Sequence, residues 1–249
     1  MDKGLHISLA AERVGTFLGL PITNTLITMW VVMAVLIVVA FLVRRSLNVV
    51  PGKLQNAFEM LIEYVLGMME QTFGSRATAI RYFPLIATIF VFILASNLFD
   101  FIPIFGSIGF HRGSEFVPLF HPVNADLNTT LALAIISFFV IEFSGILTLG
   151  VLKYGSKFVN VRQGAMMFVV GLLELIGTLA RLISFSFMLF GAIFAGEVLL
   201  MVIGTFVPYF LPVPLMAFEA FIGLLQAGIF AILTMAFIKI AIEEPHVAH

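Results

Sequence analysis

The sequence predicts an all-α integral membrane protein with about five membrane-crossing helices plus one interfacial amphipathic helix. The first observation behind this prediction is composition: 61% of the 249 residues are hydrophobic and only 11% are charged, whereas about a quarter of the residues of soluble domains are charged. The second is the length of the apolar segments. About 20 residues of helix cross the ~30 Å hydrocarbon core of a bilayer, and several segments reach that length.

The first part of the chain divides at its charged residues. Residues 1–24 lack the pattern of a secretory signal and are predicted to form an ordered extracytoplasmic segment. Residues 25–45 form the first predicted transmembrane helix, which ends at Arg44 and Arg45. Residues 51–76 place apolar side chains on one helical face and glutamates on the other, which is typical of an interfacial amphipathic helix.

Two further transmembrane helices are predicted at residues 82–103 and 129–152. The first of them ends at Pro103, and the second is followed by a loop that carries several cations. Between the two helices, residues 104–128 are rich in glycine, proline, histidine and charged side chains. We therefore expect an extracytoplasmic loop in contact with water.

Residues 164–242 are predicted to form a helical hairpin that lies strongly tilted in the membrane. Its arms, 164–207 and 215–242, would be about 66 Å and 42 Å long as continuous helices, more than the ~30 Å bilayer core requires. The proline-rich connector between them is short, so the arms must run antiparallel. Tilt commonly absorbs excess length, and a bend within each arm is the alternative.

Orientation follows from the distribution of lysine and arginine. The loops after the first and third transmembrane helices carry most of these cations, and the positive-inside rule assigns such loops to the cytoplasm. The N-terminal segment and the loop at 104–128 are then outside. After five crossings, residues 243–249 form a cytoplasmic tail.

Ionisable side chains inside the apolar segments are the candidates for function. Each costs at least ~2.5–3.5 kcal/mol at bilayer depth on insertion scales, so each is a functional hypothesis. Most of these ionisable side chains are acids, and two of them, Asp100 and Lys239, lie near predicted helix ends. The full set is Glu142, Glu174, Arg181, Glu197, Glu219, Asp100 and Lys239. An interior rich in carboxylates is typical of a proton path.

Both arms of the hairpin carry a polar face. Glu174 and Arg181 are seven residues apart on one arm, and Glu219 and Gln226 are seven apart on the other. Structural alternatives stay open for each. The first pair could be a buried ion pair that only holds the hairpin together. The second pair could serve only to hold helices together by hydrogen bonds, which contribute ~0.6 kcal/mol on average in membranes. Glu142 could be no more than a packing partner.

Five stretches in order along the chain carry a family resemblance. They are "PGKLQNAFE" (51–59), "FPLIATIFVFILASNLFDFIP" (83–103), "ADLNTTLALA" (125–134), "ELIGTLARLISFSFMLFGAIFAGE" (174–197) and "LLQAGIFAIL" (224–233). Together they resemble subunit a of the F-type ATP synthase, the membrane stator subunit of its proton channel. The resemblance covers nearly the whole chain.

The resemblance implies a role in proton transport. In that family the last two helices lie almost in the membrane plane against a rotating c-ring, whose carboxylates are loaded and unloaded through two proton half-channels. Proton flow thereby drives rotary ATP synthesis. Implied partners are the c-ring proteolipids, the peripheral-stalk b subunits, the remaining F0F1 complex and membrane lipid. The implied location is the bacterial plasma (inner) membrane, as a multi-pass protein.

No chemistry of its own is predicted for the chain. It has no cysteine, which excludes disulfides and thiolate metal sites. No phosphate-binding glycine loop, nucleophile–base set or metal-ligand spacing is visible. We therefore predict no catalytic residues, metal or cofactor, and no nucleic-acid partner. ATP chemistry would take place on other subunits.

The resemblance also assigns site residues. Glu197 and Glu219 match the two half-channel positions, and Gln226 matches a glutamine that faces the family's essential arginine across the hairpin. Glu174 and Arg181 match an earlier acid and an intermediate basic position. Asn97 and Asp100 fall where the family has polar residues near a channel entrance. The predicted proton path consists of Glu197, Glu219, Gln226, Glu174, Arg181, Asn97 and Asp100.

The sequence departs from the family at its most important position. The essential arginine falls on Met188, and a nearby asparagine falls on Ala192. Arg181 lies on the same helix face, about 10.5 Å away along the axis. Three explanations stay open: a variant that is impaired in translocation, a natural variant in which Arg181 or a neighbouring chain supplies the charge, and a slip of register. An acid-lined secondary transporter and a structural membrane scaffold are the rival functions, although no carrier-type repeat is visible.

Overall fold

The apolar segments form long helices, and the connectors fold into turns and two small β-ribbons. The computed structural model describes residues 11–17, 19–45, 47, 52–102, 108–112, 115–158, 165–207 and 209–243. Its helices are α1 (Asn24–Arg45), α2 (Lys53–Phe73), α3 (Arg76–Phe99), α4 (Leu127–Leu149), α5 (Val151–Gly155), α6 (Ala165–Phe206) and α7 (Pro212–Ile242). Its strands are β1 (Arg13–Phe17), β2 (Leu20–Thr23), β3 (Gly109–Arg112) and β4 (Glu115–Pro118).

Five of these helices, α1, α3, α4, α6 and α7, are long and apolar enough to cross a membrane. The strands form only two-stranded ribbons, and no closed sheet occurs among the described residues. The predicted class of an all-α integral membrane protein is therefore confirmed. The remaining long helix, α2, packs against α3 and α7, and its location at the membrane interface stays a prediction.

A single tight turn joins α2 to α3. Gly74 ends α2 in the left-handed conformation (φ 69°), where a residue without a side chain avoids strain. The Ser75 side chain then accepts a hydrogen bond at 3.4 Å from the backbone N–H of Thr78, which caps α3. As a result, α3 begins at Arg76, earlier than the predicted start of the transmembrane segment 82–103.

The sequence does not predict the two antiparallel β-ribbons, β1–β2 and β3–β4. They lie in the segments 1–24 and 104–128, and Asn24 at the start of α1 joins them. Its side-chain oxygen accepts the backbone N–H of Glu12 at 3.0 Å, and its amide donates to the carbonyl of Pro118 at 3.3 Å. Parts of the predicted segments lie outside the described residues, namely 1–10, 18, 51, 103–107, 113–114, 164, 208 and 244–249.

The third predicted transmembrane segment, 129–152, is interrupted near its end. Gly150 takes a positive φ of 81°, which ends α4 and lets α5 fold back against it. The ring of Tyr154 in α5 then lies directly on Gly145 of α4. Any side chain at position 145 would overlap the ring, so the short α5 depends on this close approach.

Helices α6 and α7 form the predicted antiparallel hairpin. Gly196 of α6 lies against Glu219 of α7, and Phe185 lies against Phe230. The same number of residues separates the two contacts on each helix, so the antiparallel register of the helices does not change between them. Their 42 and 31 residues give lengths of about 63 Å and 46 Å. Neither helix is broken, which favours tilt over a bend, and the tilt itself stays a prediction.

Two apolar clusters hold the bundle together. One lies among α2, α3, α4 and α7, and the other among α3, α4, α6 and α7. By contrast, one side of the first half of α6 has no neighbour among the described residues. Its exposed apolar residues include Leu172, Leu173, Ile176, Leu179, Ile183 and Phe187. This side of the hairpin is therefore open to lipid or to another subunit.

Candidate functional site

A cavity of about 110 Å³ lies where the end of α3 meets the hairpin, close to the connector between its two arms. We call it the carboxylate cavity. Four residues of the predicted proton path meet there, three of them acids from three different helices or helix ends. Its lining consists of Asn97, Asp100, Phe101, Pro122, Ile193, Glu197, Leu200, Met216 and Glu219.

Asn97 fixes the crossing of α3 and α7 beside this cavity. Its amide donates a 2.9 Å hydrogen bond to the carbonyl of Gly223, and its side-chain oxygen accepts a 2.7 Å bond from the amide of Asn124. A β-carbon on Gly223 would lie 2.9 Å from that of Asn97, so glycine allows the two helices to approach. Asn124 is a site residue that the sequence analysis missed, because one amide in a polar loop carries no signal of its own.

Two of the carboxylates in the cavity carry an unpaired oxygen. Oδ2 of Asp100 and Oε2 of Glu219 are buried and have no hydrogen-bond partner among the described residues. The cavity has room for several ordered waters, which commonly satisfy such groups. His121, which the sequence analysis did not single out, lies within electrostatic range of Glu197. Protonatable groups and space for water therefore occur together.

Gln226 lies deeper in the hairpin than Glu219. It is buried, and its Nε2 has no hydrogen-bond partner in the described part of the chain. It is not among the residues that line the carboxylate cavity. The predicted polar face of α7 thus extends from the cavity toward the middle of the hairpin.

The predicted pair Glu174 and Arg181 forms a separate group near the start of α6. Their closest N–O distance is 3.6 Å, and about half of the Glu174 side chain is exposed. Arg181 also donates a 2.6 Å hydrogen bond to Thr178. All three residues belong to α6, so the interpretation of a buried pair that holds the hairpin together is wrong. The contact of Arg181 with α7 is instead with the ring of Phe237, 4.8 Å away.

Three residues of α4 and the α5 region complete this group, which we call the Arg181 cluster. The Tyr154 hydroxyl donates a 2.9 Å hydrogen bond to Glu142. Burial, followed by this bond, raises the pKa of Tyr154. Burial lowers the pKa of Lys157, whose ammonium donates to the carbonyls of the last turn of α7. Both residues lie within electrostatic range of Glu174 and Arg181.

Tyr154 and Lys157 were not predicted as site residues, since an isolated tyrosine and lysine beyond a helix end are ordinary. The hydrogen bond also gives Glu142 a specific partner rather than apolar packing alone. Within the described residues, no group of three or more histidine or acidic side chains has metal-binding geometry. The acidic and basic side chains of both groups can exchange protons and pair charges.

Comparison with known proteins identifies the family. The family described as ATP synthase A chain matches residues 26–239. The chain belongs to this family. The "ATP synthase subunit a 2" of Syntrophotalea carbinolica is 36% identical over 248 residues, which cover 97% of this chain and 94% of the relative. The "ATP synthase subunit a" of Campylobacter jejuni is 37% identical, with 84% and 87% covered, and that of Moorella thermoacetica is 31% identical, with 88% and 90% covered.

In this ATP synthase A chain, Met188 occupies an apolar environment. It is partly buried and packs against the cluster that contains Phe185, Leu189 and Phe230. Arg181 lies two turns toward the start of α6, where it stacks on an aromatic ring. The positive charge of Arg181 is therefore held at one end of the apolar cluster and not in its middle.

Proposed function

We propose that this chain is the membrane stator subunit of an F-type ATP synthase and supplies two proton half-channels to the carboxylates of a c-ring. The single observation that carries the proposal is the carboxylate cavity, in which Asp100, Glu197 and Glu219 share a space large enough for water. Proton flow through the chain would be coupled to rotary ATP synthesis on other subunits. The chain itself would act as a translocator.

The carboxylate cavity serves as the extracytoplasmic half-channel. Protons would enter through water beside Asp100 and move between Glu197 and Glu219, which lie on the two arms of the hairpin. From there a proton passes to a ring carboxylate at the hairpin surface. The hydrogen bonds of Asn97 keep α3 and α7 in place during this exchange.

The Arg181 cluster serves as the cytoplasmic end. A fixed positive charge attracts the ionised form of a ring carboxylate, so it favours release of the proton. Position 188, where the family has its essential arginine, carries a methionine, so Arg181 supplies this charge. Glu174 accepts the proton or passes it to water. Thr178 and the ring of Phe237 hold the guanidinium in position.

The partners follow from the surface of the hairpin. The exposed apolar side of α6 fits the apolar helices of a c-ring. The sparse burial of α1 leaves a surface for the b subunits of the peripheral stalk and for lipid. We place this multi-pass protein in a bacterial plasma membrane, as the bacterial origin of the matched relatives supports.

The matches do not favour the alternatives. Similarity to proteins named ATP synthase subunit a extends over most of the chain, including both arms of the hairpin. This supports a working family member over a translocation-impaired variant, an acid-lined secondary transporter or a structural scaffold. Co-purification with a ring of small two-helix proteolipids would add direct support.

The test is ATP-driven proton pumping by the complete ATP synthase in proteoliposomes. We expect Glu219→Gln to abolish most of the pumping, because an amide cannot exchange a proton. Glu59→Gln, on the exposed face of α2, is the matched control and should pump normally. Full pumping by Glu219→Gln in an intact complex would contradict the proposal.

A further inference from the structure

Between the two polar groups, α6 presents a row of apolar side chains to the interior of the protein. Arg181, Phe185, Leu189, Ile193 and Glu197 are spaced by four residues on α6, so they form one row on the helix. The charged residues stand at the ends of the row, about 24 Å apart. The three residues between them are at most 5% exposed.

Aromatic rings from α7 pack against this row. The ring of Phe230, which is fully buried, lies 5.1 Å from that of Phe185, and the ring of Phe237 lies 5.5 Å from Phe185. The ring of Phe237 also contacts Arg181, whose guanidinium lies 4.8 Å from the ring centroid. We define the apolar plug as five residues: Phe185, Leu189, Ile193, Phe230 and Phe237. It extends from the carboxylate cavity, which Ile193 also lines, to the Arg181 cluster.

Polar groups at the level of the plug do not form a continuous path. The hydroxyls of Thr130 and Ser186 pair with each other at 3.2 Å. The hydroxyl of Thr234 donates to the carbonyl of Phe230 at 2.8 Å. Gln226 of α7, opposite Leu189, and Ser137 of α4 are both buried, and Nε2 of Gln226 and the hydroxyl of Ser137 have no hydrogen-bond partner among the described residues, so each adds one isolated polar group. Among the described residues, these polar groups therefore form no continuous chain of donors and acceptors along the hairpin.

We propose that the apolar plug is the seal that stops protons from crossing inside the chain between the carboxylate cavity and the Arg181 cluster. Proton transfer needs water or polar side chains, and apolar constrictions exclude ions by dewetting. Met188 packs against the plug and extends it to the partly exposed side of α6. Sealing then requires no charge at position 188. This inference rests on the proposed function, since it assumes that both polar groups exchange protons.

The experiment measures passive proton flux, driven by a potassium diffusion potential without ATP, through proteoliposomes that contain the complete ATP synthase. We expect Phe230→Ser to raise this flux severalfold, because a hydroxyl and a water-sized space replace the ring. Phe230→Leu keeps the interior apolar and should stay as tight as the wild type. Phe221→Ser changes an exposed phenylalanine of the same helix and should also stay tight.

Each outcome decides the proposal. Wild-type flux in an assembled Phe230→Ser complex overturns the plug, and so does an equal rise in Phe221→Ser, which would indicate general damage. If Phe230→Ser does not assemble, Leu189→Thr gives the same reading with a smaller change of volume. ATP-driven pumping is measured in parallel on the wild type. If the wild type does not pump, the proposed function is overturned. If the wild type pumps but Phe230→Ser shows no increase in passive flux, only the plug is overturned.

Discussion

Replacing Gly196 with alanine tests how closely the two arms of the hairpin must approach at the carboxylate cavity. A β-carbon at this position would lie 2.5 Å from Oε1 of Glu219. Non-bonded heavy atoms rest about 3.5 Å apart, so the carboxylate must move by about 1 Å. A misplacement of about 1 Å can lower a rate ~100-fold. We expect Gly196→Ala to reduce proton pumping by roughly tenfold to a hundredfold.

The assay is ATP-driven acidification of proteoliposomes, normalised to the amount of intact complex. Gly204→Ala is the matched control, because it lies on the same helix and its added β-carbon meets nothing within 4 Å. Both substitutions raise helix propensity by about 1 kcal/mol. Their difference therefore isolates the contact with Glu219. A second substitution, Glu219→Asp, shortens the crowded side chain and should restore part of the pumping of Gly196→Ala.

Equal pumping by Gly196→Ala and Gly204→Ala, both fully assembled, would refute the reasoning. It would mean that the position of the Glu219 carboxylate does not limit proton transfer. Failure of Glu219→Asp to improve the crowded variant would point instead to damage elsewhere in the hairpin.

Three further predictions concern the remaining polar contacts. Asn97→Ala should lower stability by about 1–3 kcal/mol, because it removes two buried hydrogen bonds and leaves the amide of Asn124 without its partner; thermal unfolding measures this, with the exposed Asn56→Ala as control. Tyr154 loses its proton at higher pH in the folded state than when unfolded, so stability should fall as pH rises above about 10. Tyr154→Phe should reduce that fall, and an unchanged pH profile of the unfolding midpoint would contradict the combined effect of burial and of the bond to Glu142 on the pKa of Tyr154. Arg181→Ala should abolish pumping while passive flux stays low, with partial pumping by Arg181→Lys; normal coupled pumping by Arg181→Ala would rule out its role.

The fold could be predicted from the sequence wherever hydrophobic length decides the structure. The long apolar segments and the short proline-rich connector leave few arrangements other than spanning helices and a final hairpin. The break at Gly150 could not be predicted, because it depends on a positive φ and on the packing of Tyr154 against Gly145. The β-ribbons depend on backbone pairing and on the contacts of Asn24, which leave no periodic signal.

The candidate site shows a similar division. Asp100, Glu197 and Glu219 stand out in the sequence as acids in apolar segments, and the structure brings them to one cavity. Their neighbours do not stand out. Asn124 lies in a polar loop where amides are common. The stacking of Arg181 on Phe237 joins two helices and cannot be read from either one alone.

Water access to the interior of the hairpin tests the central claim most directly. The chain has no native cysteine, so single cysteines can be labelled with a membrane-impermeant thiol reagent applied from the extracytoplasmic side of the assembled enzyme. Met216→Cys lies in the lining of the carboxylate cavity and should react rapidly, while Leu189→Cys in the apolar plug should stay unlabelled. Equal labelling of both positions, or protection of Met216→Cys, would contradict a wet half-channel that ends at a dry seal.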